Sequence, residues 1–153
     1  MLWMTRGTAH ARSYDDYPRE YDLHLRAWAG DAGAQLRLAL AADRAEDYAK
    51  AAALYRMAAG QGLAEAQNNL GVLFKDGQGV EQDYAEAARW FTLAAEQGNV
   101  LAQSNLGWLY QSGSGVQRDY AVARKWYLLA ACRGHAAAQN NLGTMYRDGK
   151  GVL

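Results

Sequence analysis

An all-α array of stacked antiparallel helix pairs is the fold this sequence predicts, and three observations predict it. Blocks of one kind recur every 36 residues: "DYAKAAALYRMAAGQG" from Asp47, "DYAEAARWFTLAAEQG" from Asp83 and "DYAVARKWYLLAACRG" from Asp119. A second kind follows at the same step: "AEAQNNLGVLFKDGQGV" from Ala64, "VLAQSNLGWLYQSGSGV" from Val100 and "AAAQNNLGTMYRDGKGV" from Ala136. Internal repetition at this period marks units that bury a continuous core only by stacking on their neighbours. Composition agrees, because the 50% hydrophobic content is largely alanine while the strand formers Ile and Thr are nearly missing.

Taken in order, residues 1–30 form an N-terminal segment with a degenerate capping helix over Tyr17–Ala29, stopped at Gly30. A degenerate first repeat spans 31–62: Gln35 and Leu38 stand where Gln67 and Leu70 belong, but the glycine turn is deleted and Ala39 replaces the helix glycine. Repeats follow over 63–98 and 99–134, and 135–153 holds an incomplete fourth, giving about eight helices in all. In the Asp83 block, Tyr84, Ala87, Ala88, Phe91, Ala94 and Ala95 share one helical face. Asp83 is the expected N-cap, with Glu86 placed for a capping box, and Gly62, Gly98 and Gly134 are the expected stops. The chain halts at "GVL", so Leu142, Met145 and Tyr146 lack their usual cover. That predicts a sequence that continues, end-to-end association through the last helix, or a partner on that face.

Several functions are excluded. Sixteen basic residues balance sixteen acidic ones without a run of either sign, so the electrostatic footprint for nucleic acid or an anionic membrane is missing. The opening "MLWMTRGTAHARSYDDYP" lacks the apolar core of a secretion signal, and no segment approaches a membrane span of about 18 apolar residues. A cytoplasmic location is expected, or a periplasmic or secreted one if a leader is missing. His10, His24 and His135 are isolated, Asp15–Asp16 reads as solvated, and Cys132 near Arg133 and His135 reads as an inert thiol. No enzyme, metal or cofactor is expected. "GQGV", "GSGV" and "GKGV" each follow a helix, where a phosphate loop would follow a strand, and so read as turns.

A helical wheel divides the repeated amides. Ala66, Gln67, Leu70, Leu73 and Phe74 form the packing face, with Asn69 at its border; Asn68, Val72 and Lys75 fall opposite. Gln67, Gln103 and Gln139, like Asn69, Asn105 and Asn141, do not vary and read as scaffold amides bonded to backbone or to one another. Gly71, Gly107 and Gly143 read as sites of close helix approach. The opposite wall varies: Asn68, Ser104 and Asn140; Val72, Trp108 and Thr144; Lys75, Gln111 and Arg147. Trp108 points away from its own packing face, either to anchor a partner or to cover an adjacent repeat. Trp90 and Trp126 read as packing residues. Lys75 and Arg147 flank Trp108 by one repeat each and suit a carboxylate, or else a solvated face.

The pattern A-x-A-Q-x-x-L-G-x-x-Y-x-x-G-x-G-V, then D-Y-x-x-A-x-x-W-x-x-x-A-A-x-x-G, over Asp47–Val152 resembles the Sel1-like repeat family. The resemblance implies a right-handed α/α superhelical solenoid, similar to tetratricopeptide repeats, with the first helix of each pair lining a concave groove. It implies protein–protein interaction rather than chemistry. The cysteine-rich, disulfide-stitched branch of such proteins is not matched, since Cys132 stands alone. The expected function is a non-catalytic adaptor holding a partner segment in the groove formed by those nine variable residues. The alternative is an inhibitor or immunity-type protein that blocks a partner enzyme, in one version through the uncapped C-terminal end.

Overall fold

The computed structural model describes residues 19–151, and among them helices joined by turns are the regular structure present. The order is α1 (Arg19–Trp28), α2 (Ala32–Arg44), α3 (Tyr48–Gly60), α4 (Ala64–Asp76), α5 (Tyr84–Glu96), α6 (Val100–Ser112), α7 (Tyr120–Cys132) and α8 (Ala136–Arg147). Each helix packs chiefly on the one before and the one after, as a linear stack of hairpins must. The expectations that fell on Tyr17, His10, Asp15, Asp16 and Val152 lie outside the described residues.

Helix boundaries follow local chemistry. Asp83 and Asp119 cap α5 and α7, each carboxylate accepting two backbone N–H groups at 2.9 and 3.0 Å. The capping box expected at Glu86 does not form. The Asp83 N–H already donates to the Phe74 carbonyl at 2.9 Å, so Glu86 turns to Arg89 instead. The glycine-rich connections are turns, as their position after a helix required. In the turn after α4, Gly79 has φ +68° and lies on the backbone of Tyr48; a Cβ there would come within 2.2 Å of the Tyr48 carbonyl carbon. Gly115 repeats this against Tyr84 and Gly151 against Tyr120, so each turn clamps the start of the second helix one hairpin earlier.

The core runs the length of the stack. Tyr55, Phe91 and Tyr127 occupy one repeated position in the second helices and are fully buried. Leu70, Leu73, Leu106 and Leu109 share one core cluster with Tyr55 and Phe91, and Tyr127 packs with Met145 in a second cluster toward α8. Gly71 and Gly107 make room for those rings: a Cβ at Gly71 would stand 2.7 Å from the Phe91 ring, and one at Gly107 2.8 Å from the Tyr127 ring. Gly143, the third member of the set, meets nothing within 4 Å. Leu142 is accordingly half-buried rather than sealed like Leu70 and Leu106, while Met145 is buried. Trp90 and Trp126 are half-buried and pack against the core, as expected.

The invariant glutamines explain themselves by their bonds. Gln35, Gln67, Gln103 and Gln139 each donate Nε2–H to a carbonyl in the last turn of the preceding helix, namely Ala27, Ala59, Ala95 and Ala131, at 3.0–3.2 Å. Two of them also accept from the end of the second helix of their own hairpin, Gln61 donating to Gln35 and Gln97 to Gln67, both at 2.8 Å. Position 133 breaks this ladder. It holds Arg133, whose guanidinium donates to the Gly98 carbonyl, and the buried Gln103 Oε1 is left without a partner.

Candidate protein-binding groove

The variable residues of α4, α6 and α8 sit on one side of the stack, and Trp108 is the centre of what they form. Its side chain points out of α6 and stays 40% exposed, large for an indole held between neighbouring helices. Tyr84 of α5 supports it from beneath, ring centroids 6.2 Å apart at 43°. Lys75, from the end of α4, places its ammonium 5.9 Å from the centre of the indole ring. Trp108 thus packs beside Tyr84 of the preceding hairpin while part of its side chain stays open to solvent.

Two hollows meet at this ring. One of about 270 Å³ is lined by Lys75, Leu101, Ser104 and Asn105, and closed by His135 and Asn141. The other, about 370 Å³, lies between Trp108, Gln111, Tyr120, Asn141 and Lys150. The first hollow spans three successive first helices, which is why no single helical wheel displays it. His135 is the N-cap of α8, its Nδ1 accepting the Ala138 N–H at 3.2 Å, and it also lines the first hollow.

Four expected wall positions need correction. Asn68 is only 3% exposed and Ser104 8%, so neither stands open on the wall as the wheel placed them. The cause is the neighbouring repeat: Asn105 Nδ2 donates to Asn68 Oδ1, and Asn68 Nδ2 donates to Asn69 Oδ1, both at 3.2 Å. Ser104 still touches the first hollow. Val72 is half-buried against the core and lines neither hollow. Thr144 is half-buried, its hydroxyl donating to the Asn140 carbonyl at 3.0 Å.

Lys75, Trp108 and Gln111 do line the hollows, whereas Asn140 and Arg147 are exposed on α8 outside them. Arg147 pairs with Asp148 at 3.4 Å. Asn141, the residue after Asn140, lines both hollows.

The amide column at Asn69, Asn105 and Asn141 is tuned by what it faces. Asn69 and Asn141 lie near the hydroxyls of Tyr55 and Tyr127 and favour their ionised form, whereas the intervening ring is Phe91, with no hydroxyl, and Asn105 turns to Asn68. Burial pushes the Tyr127 hydroxyl up to about 12, against the lesser opposing pull of Asn141. Tyr55 is raised too, first by burial and then by the Asp43 carboxylate that accepts its O–H at 2.9 Å. Tyr127 donates to Gln111 Oε1 at 2.8 Å, which ties a groove residue to the core.

Residues the sequence reading did not place here are Tyr84, Leu101, Tyr120, His135 and Lys150. Tyr84 and Tyr120 carry the invariant "DY" signal, and Lys150 sits in the "GKGV" turn one hairpin on, so the signal was repetition between elements. Among the described residues no cluster of three metal-ligating side chains occurs, and no helix is long and apolar enough to cross a membrane.

Comparison with known proteins gives the family context. A model for the Sel1 repeat matches residues 32–63, 64–99, 100–135 and 136–153. A comparison with curated proteins gives no match. Among solved structures, a protective antigen of uropathogenic Escherichia coli strains that displays an SLR fold is 43% identical, with a TM-score of 0.82 over 85% of this chain and 29% of that one. A Sel1 repeat protein from Oxalobacter formigenes is 33% identical, TM-score 0.78, over 88% of this chain and 57% of that one. Cysteine-rich protein B of Helicobacter pylori, at 22% identity, shares the fold with a TM-score of 0.57 over 61% of this chain and 70% of that one. The chain thus spans well under two thirds of the length of the first two.

Proposed function

The chain belongs to the Sel1 repeat family, and from that premise we propose that it is a non-catalytic adaptor holding an extended segment of a partner protein in the groove around Trp108. Sel1 repeat proteins generally mediate protein–protein interaction and are generally non-catalytic scaffolds. What supports this chain's own site is the half-exposed indole with a hollow on either side, propped by Tyr84 and Lys75. Burying the roughly 100 Å² that Trp108 still exposes corresponds to about 2.5 kcal/mol, which is the scale of an interface hot spot. The location proposed for this role is the cytoplasm.

Pull-down with the wild-type chain and with Trp108→Ala tests the reading. A partner held by the first should be weakened by tens-fold or more in the second, with the far-ultraviolet circular dichroism unchanged. Equal retention would remove the groove from the interaction. A blocking role toward a partner enzyme is the second reading, in which Tyr146 of α8, 50% exposed, makes the contact. Binding insensitive to Trp108→Ala but lost in Tyr146→Ala would select it.

A further inference from the structure

We infer that the segment held beside Trp108 is acidic, an extended peptide with an apolar side chain flanked by carboxylates; the inference rests on the groove reading above. Each hollow at Trp108 contains one lysine, Lys75 in the first and Lys150 in the second, and no aspartate or glutamate lines either. Both ammonium groups lie over aromatic rings, Lys75 over Trp108 and Lys150 over Tyr120, each at 5.9 Å. Both lysines are half-buried, so an arriving carboxylate meets a charge that water screens only in part.

Their present partners do not block this. Lys75 pairs with Asp76 at 3.3 Å and Lys150 with Asp148 at 3.4 Å, and both carboxylates lie outside the hollows. Pairs this exposed hold weakly, and an ammonium has three N–H donors, so one more acceptor can be added without displacement. Asn141, which lines both hollows, and Gln111 and Ser104, each lining one, give the polar complement that a peptide backbone needs. An extended chain advances about 3.3 Å per residue with side chains alternating in direction. It can therefore set one apolar side chain on the indole and place carboxylates in the hollow on each side.

The test is an array of acetylated, amidated nonapeptides with one leucine or tryptophan at the centre and aspartate at varied flanking positions. Matched arrays carry asparagine or lysine instead. The best aspartate peptides should bind about tenfold or more tighter than their asparagine counterparts, as charge-assisted bonds do. That preference should shrink between about 50 and 300 mM salt. It should also fall several-fold in Lys75→Gln and in Lys150→Gln, and invert toward the lysine array in Lys75→Glu/Lys150→Glu. Equal binding of aspartate and asparagine peptides, still abolished by Trp108→Ala, would overturn the acidic assignment and leave the groove reading standing. Absence of peptide binding, or binding indifferent to Trp108→Ala, would overturn both.

Discussion

Adding one methyl group at Gly107 and one at Gly143 should move stability in opposite directions, although both glycines end the same motif. In a helix interior, Gly→Ala stabilises by about 1 kcal/mol when the new methyl meets nothing. That is the situation at Gly143, where nothing lies within 4 Å. At Gly107 the methyl would stand 2.8 Å from Tyr127 Cδ1 and 2.9 Å from Cε1. The ring cannot swing away cheaply, because it is fully buried and its hydroxyl is bonded to Gln111. Overpacking of this kind costs typically 1–3 kcal/mol, and the contact here, with two ring carbons under 3 Å, belongs at the upper end of that range, so after the helix gain Gly107→Ala should lose up to about 2 kcal/mol. Ala39 stands at the corresponding place in the first repeat, but there only residues 45–47 join the two helices, against 77–83 in the next. Urea unfolding followed at 222 nm should show midpoints on opposite sides of wild type, with thermal midpoints differing by several degrees, at roughly 2–4 °C per kcal/mol. In a Tyr127→Leu background, the loss at Gly107→Ala should disappear, since that pair is coupled by contact. Midpoints that shift in the same direction for both glycines would refute the packing account of the motif.

Arg133→Gln should stabilise the chain by about 1 kcal/mol by giving the buried Gln103 Oε1 the partner that Gln97 gives Gln67; a lowered urea midpoint would show that the Arg133 bond to Gly98 matters more. Stability should also respond to alkali. The Tyr127 hydroxyl ionises at 10.0 ordinarily and at about 12 when folded, so between those pH values the unfolded chain has lost a proton that the folded one keeps. Unfolding is favoured as pH rises through that window, and the contribution is intact below about 10. Tyr127→Phe should flatten the fall in thermal midpoint while leaving the share due to Tyr55, whose hydroxyl is also raised.

Much of the fold is legible in single letters because each hairpin buries the same face. Leu70, Ala66 and Phe74 follow from helical periodicity, and the glutamine column from the need to satisfy a buried amide. The site is less legible. A helical wheel sorts side chains about one axis, whereas Asn68 is closed by Asn105 from the next repeat, and Lys150 reaches Tyr120 from a turn beyond the following helix. Glu86 illustrates the same limit: its spacing from Asp83 suits a capping box, yet the Phe74 carbonyl had already taken the N–H.

The 36-residue recurrence by itself determined the repeated helices, their stops, the packing letters and the glycines set aside for close helix approach, because these depend on neighbours fixed by the repeat. Only the stacked structure decided which wall residues are open, since exposure there depends on the distance and register between hairpins. That spacing covers Asn68 and leaves Trp108 40% exposed, although both occupy the wall opposite their own helix's packing face.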